Sequence, residues 1–223
     1  MIFQIVEAKT EGKIEETPKT ASSSTNNWKS LFRSKDFYVI TVTYSIAKIC
    51  RTILSTYYKA YGLSVVPDDQ FLTIIAMLSC IFNALGRLAW GALSDKISTK
   101  YLVIVASIMG IFGVEAAYWS LFSPKGADIL YMATISLDGA IFASQILFTT
   151  SIYTYFGKED FGVKYGLVRA GPGLAVLAFS FLLKYVEVFA DWGVMFHTMA
   201  GLCLLSAASS FLLTNYPVSP KTV

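Results

Sequence analysis

Charge is what this sequence has least of. Asp, Glu, Lys and Arg make up only 15% of its 223 residues, against about 25% in an ordinary soluble domain. That shortage argues against a water-soluble globule. Histidine occurs once, as His197, and cysteine three times, as Cys50, Cys80 and Cys203, each inside an apolar run and with no CxxC spacing. One histidine is too few ligands for a metal centre, and the cysteines read as small hydrophobic filler, so neither metal nor cofactor is expected. GxSxG, HExxH, a Walker loop and paired membrane aspartates are all missing, which removes the motif grounds for an enzyme. The net charge of +3 is small and its lysines are scattered over connecting stretches, so no nucleic-acid partner is expected. The opening "MIFQIV" is too short for the apolar core of a signal peptide. No Asn-x-Ser/Thr sequon occurs to mark an outer loop.

What the chain does have is oil. Hydrophobic residues make up 55% and aromatic residues 15%. Six apolar runs fall near 37–60, 70–93, 101–122, 128–156, 165–187 and 192–214. Each is long enough to cross a bilayer core of about 30 Å as a helix, and none alternates with the period of two that a membrane barrel needs. The expected fold is an all-α membrane protein of six transmembrane helices. Residues 1–35 read as a disordered cytoplasmic tail, 36–215 as the bundle and 216–223 as a second cytoplasmic tail. With the N-terminus inside, Lys9, Lys13, Lys19, Lys29, Arg33, Lys35, Lys96, Lys100, Lys158, Lys164 and Lys221 fall on the inner side, and only Lys59, Lys125 and Lys184 on the outer. That bias puts both termini in the cytoplasm, with the plasma membrane preferred over an organelle.

Six charged residues stand inside the runs: Lys48, Arg51, Arg87, Glu115, Asp138 and Arg169. A charge at the centre of a spanning helix costs about 2.5–3.5 kcal/mol on insertion scales, so each needs a partner or a water-filled cavity. Lys48 and Arg51 share a face of the first helix, roughly 17 and 21 Å beyond Phe37 at the helical rise. Thr41, Tyr44, Ser45, Thr52, Ser55 and Tyr58 extend that face into a polar stripe, which reads as a cavity lining. Arg87 lies in the inner half of the second helix, either paired with an inner acid such as Asp95 or serving as an anion ligand. A guanidinium suits a carboxylate because its planar fork grips both oxygens. Asp138, near the midplane of the fourth helix, is expected either to balance these cations or to carry a coupling proton. Gly171, Pro172 and Gly173 predict a helix break in the fifth span. Arg169 is expected to snorkel, and His197 to make a packing contact or a single hydrogen bond.

The loop "GALSDKISTK", residues 91–100, resembles the GxxxDRxGRR loop of the major facilitator superfamily. Gly91, Asp95, Lys96 and Lys100 match in kind, while Ser98 and Thr99 replace the usual Gly-Arg. In that family the loop joins the second and third helices of each six-helix half, which is where it falls here. "LFRSKDFYVI", "IFNALGRLAWGALSDK" and "YFGKEDFGVKYGLV" are similar to the C-terminal half of oxalate/formate antiporter-like and monocarboxylate-transporter-like members. The resemblance implies one half of a twelve-helix carrier for small organic anions, with Arg87 at a carboxylate-binding position and residues 91–100 as a gating loop. It also implies, as partners, protons or a counter-anion and a missing N-terminal half or a second copy, within the lipid bilayer. The helix-eleven lysine of the oxalate carriers falls on Pro172 here, so the oxalate-specific pair is incomplete. The alternative is a membrane protein that binds and regulates a full-length carrier without transporting.

Overall fold

The computed structural model describes residues 31–64, 66–123, 126–186 and 191–214. The expected disorder of the N-terminal tail, the second tail at 216–223, Lys125 and most of the fifth connection lie outside the described residues. Among the described residues, seven α-helices form six spans: α1 (Lys35–Leu63), α2 (Asp69–Ser94), α3 (Thr99–Ser120), α4 (Ala127–Phe142), α5 (Ile146–Phe156), α6 (Phe161–Val186) and α7 (Trp192–Ser210). The fourth span is α4 and α5 joined by a 3₁₀ turn, Ala143–Gln145. All six spans are long and apolar enough to cross a membrane, and no strand occurs among the described residues.

Local chemistry sets the boundaries. Asp68 caps α2 by accepting from the N–H groups of Gln70 and Phe71, both at 3.0 Å, which satisfies two of the donors a helix start leaves orphaned. Gly126 and Gly157, both at φ 73°, supply the left-handed turns before α4 and after α5 that side chains resist. Short connections make successive spans reverse direction. One end of the bundle therefore holds the start of α1, the α2–α3 turn, the α5–α6 turn and the end of α7, and is called the basic end below.

The bundle has two cores. One joins Ile53, Leu54, Tyr61, Leu72, Tyr131 and Phe196 towards the far end. The other joins Phe37, Tyr44, Trp90, Leu147, Phe148 and Ile152 towards the basic end. The closest helix pairs are α2 with α4 and α3 with α7, followed by α1 with α7, α3 with α4 and α1 with α6. Small residues permit this. A methyl on Gly86 would stand 2.7 Å from the Ala140 carbonyl oxygen, and one on Gly139 would strike Ser79, the close approach on which membrane helices rely. Gly91 faces open space by contrast.

At the site where Gly171, Pro172 and Gly173 predict a kink, α6 is helical from Phe161 to Val186 with Pro172 inside it. Packing holds the turn: Pro172 is buried, and Gly171 lies so close to the Thr41 side chain of α1 that no other residue fits without displacement.

Candidate functional site: a cation cluster and a buried carboxylate

The stripe on α1 divides in two. Its hydroxyls turn back onto their own helix: Thr41 donates to the Phe37 carbonyl at 2.7 Å, Ser45 to Thr41 at 2.7 Å, Thr52 to Lys48 at 2.9 Å and Ser55 to Thr52 at 3.0 Å. Such back-bonding satisfies a hydroxyl without water. Lys48 and Arg51 do not share that solution. Neither makes an ion pair among the described residues, where the pairs are Lys59–Asp69 and Glu115–His197.

Four cations converge on this side. Lys48 is electrostatically coupled to Arg51, Arg87 and Arg169, and Arg51 to Arg87 and Asp138. They come from α1, α2 and α6. Arg87 projects from an exposed face of α2 because the opposite face is committed to α4: Asn83 donates its amide to the Gly139 carbonyl at 2.8 Å and Trp90 its indole N–H to the Ala140 carbonyl at 2.9 Å. Arg169 is exposed, donates to the Tyr165 hydroxyl and lies 5.1 Å from that ring's centroid. Beside the cluster, Arg51, Ser55, Tyr58, Ser79 and Cys80 line a cavity of about 200 Å³ between α1, α2 and α4. Four like charges in one region, without counter-charges in contact, raise the local potential for an anion.

Asp138 stands apart from this group. It is coupled to Arg51 but not in contact with it, and its carboxylate lies against Gly113 of α3. Sequence spacing could not give its direction.

The loop residues divide as well. Asp95 caps the end of α2 and, with Lys96, is exposed. Lys100 instead turns inward and donates to the Phe211 and Leu213 carbonyls at 2.9 and 2.7 Å. Asp36 accepts from the Thr214 N–H at 3.0 Å and Tyr155 donates to the Thr214 carbonyl at 2.6 Å. Three spans thus hold the chain that leaves α7. The single hydrogen bond expected of His197 forms with Glu115, 2.8 Å away, and Trp119 adds an indole donor to the same carboxylate at 3.2 Å; the sequence did not give that partner. Glu115 and Trp119 are one turn apart on α3, a legible pattern, but His197 lies 82 residues away.

Comparison with known proteins agrees with the architecture. The family profile described as Major Facilitator Superfamily matches residues 1–168. The chain is 29% identical over 172 residues to "Apicoplast pyruvate carrier 1" of Toxoplasma gondii, covering 73% of this chain and 29% of that protein. It is also 29% identical over 113 residues to "Uncharacterized MFS-type transporter YhjX" of Escherichia coli strain K12, covering 50% of this chain and 26% of that protein. The chain thus spans under a third of either relative's length. One is named as a carrier and the other as a transporter, neither as an enzyme.

Proposed function

Because the chain belongs to the Major Facilitator Superfamily, we propose that it forms one six-helix half of a secondary carrier for small organic anions. The substrate class is a monocarboxylate or an oxalate- or formate-like acid, moved by alternating access between two bundles. The observation that carries this reading is the unpaired cluster of Lys48, Arg51, Arg87 and Arg169 on one side of the bundle. Unpaired cations at membrane depth are costly, and a carboxylate entering among them relieves that cost while gaining bidentate hydrogen bonds. The relative named for pyruvate supports a monocarboxylate. Lys48, Arg51 and Arg87 are the binding residues, with Arg169 as a fourth cation at the rim. Asp95 and Lys96 act in the inner gate, both chain ends face the cytoplasm, and the chain is a half-length fragment or isoform that works with a second bundle.

The test offers labelled pyruvate, lactate, formate and oxalate to proteoliposomes holding the chain, alone and together with a second six-helix half. Saturable uptake of one of these acids, lowered about thirtyfold or more in Arg87→Ala, is the expected result, since losing a charge-paired ligand costs about 2 kcal/mol or more. Equal uptake by variant and wild type sinks the reading. Stable binding to a full-length carrier with no uptake in either preparation would instead favour a regulator.

A further inference from the structure

Asp138 is fully buried, and neither of its carboxylate oxygens has a hydrogen-bond partner. An unpaired carboxylate in a medium of low polarity is costly enough that such a group neutralises itself. Its surroundings leave few ways to do so. From α1, Arg51 is coupled to it without touching it. From α2, Ser79 and Asn83 meet the adjacent Gly139, and the Asn83 amide is already given to that residue's carbonyl. From α3, Gly113 presents no side chain, and Glu115 is held by His197 and Trp119. From its own helix, Tyr131 is coupled to it, but its hydroxyl donates to the Tyr58 carbonyl.

A cavity lies one turn away towards the basic end. Its lining includes Ser107, Gly110, Ile141, Ser144, Cys203 and Ser206, and its volume is about 20 Å³, space for about one water molecule. Ile141 contributes to that lining and also sits beside the carboxylate at Gly113. Polar groups continue from the cavity. The Ser107 and Ser206 hydroxyls are 3.0 Å apart, Ser209 donates to the Ser206 carbonyl at 2.9 Å, and the Thr43 and Ser209 hydroxyls are 2.8 Å apart. The Ser206 carbonyl has no proton to pass on, so the hydroxyl path next to the cavity is the Ser107–Ser206 pair, which links α3 and α7.

We infer that Asp138 is a proton-binding site, reached through the Ser107–Ser206 hydroxyl pair and the cavity beside Ser144, and not through the cation-lined face. The step is a simple transfer. Water in the cavity gives one proton to a carboxylate oxygen and is re-protonated from the hydroxyl side, with no bond between heavy atoms made or broken. A metal ion fits the site worse, because it needs several ligands and no group of three acid, His or Cys side chains able to hold one occurs among the described residues. Protonation removes a negative charge from the neighbourhood of Arg51, so proton and anion reinforce each other's binding. That last link rests on the anion-site reading, whereas the proton site does not.

Infrared spectroscopy of the full chain in lipid vesicles tests this without any substrate. The wild type should show the carbonyl stretch of a protonated carboxyl group at neutral pH, and Asp138→Asn should lack it. In D₂O the shift of that band should slow about tenfold in the Ser107→Ala/Ser206→Ala double variant, the rate equivalent of about one lost hydrogen bond. Ser107→Thr, which keeps a hydroxyl, should retain the wild-type rate, and Ser107→Ala alone serves if the double variant does not fold. A band absent at neutral pH, or unchanged by Asp138→Asn, overturns the site. An exchange rate indifferent to the serine variants, or slowed as much by Arg51→Gln, overturns the route. Failure of anion uptake leaves both readouts intact.

Discussion

Two sides of this bundle handle charge in an apolar span in opposite ways. On the α3–α7 side, Glu115 and His197 meet at 2.8 Å, and Trp119 supplies a further donor to the same carboxylate. On the α1–α2–α6 side, Lys48, Arg51, Arg87 and Arg169 lie within electrostatic reach of one another with no acid in ion-pair contact among the described residues. A carboxylate that accepts two hydrogen bonds inside the chain has its desolvation offset there. Unpaired charges are offset only by something the chain does not hold: water, an anion or the facing wall of another bundle. The contrast separates groups that tie helices together from cations that the described residues leave without a counter-charge in contact.

Substitution can break that contrast in graded steps. Arg51→Gln should have the largest effect, lowering anion uptake about a hundredfold, a loss within the range for truncating one member of a desolvated charge pair. Its unfolding temperature in detergent should stay at the wild-type value or rise, because an unpaired charge has been removed. A variant that loses stability along with uptake would make Arg51 a structural residue. Glu115→Gln should do the reverse. It should cost about 1 kcal/mol of stability, in keeping with modest interhelical hydrogen bonds in membranes, and leave uptake unchanged; thermal unfolding and the uptake assay together decide it. Uptake falling as far as in Arg51→Gln would erase the distinction between the two sides. The smallest effect belongs to Lys59→Gln. The Lys59–Asp69 pair is 2.7 Å apart but both members are well exposed, so no measurable shift in unfolding is expected.

Much of this was legible in the sequence, for a physical reason. A bilayer enforces helices about 20 residues long, so hydropathy alone located all six spans to within a few residues. The Lys48–Arg51 spacing gave a shared face because helical geometry is local. Information carried by tertiary contact was not legible. Arg169 joins the cations, and Glu115 finds His197, only because distant helices pack side by side. The direction of Asp138, towards Gly113, depends on where α4 is rotated.

The 3₁₀ turn at Ala143–Gln145 works as a phase shifter. A 3₁₀ helix advances about 120° per residue against about 100° in an α-helix, so three residues rotate everything beyond them by roughly 60°. Before the shift, Tyr131, Ile135 and Phe142 serve the core at the far end; after it, Leu147, Phe148 and Ile152 serve the core at the basic end. A single span thereby meshes with two sets of neighbours set at different azimuths. Winding or unwinding those three residues would turn one core against the other while every other helix kept its register.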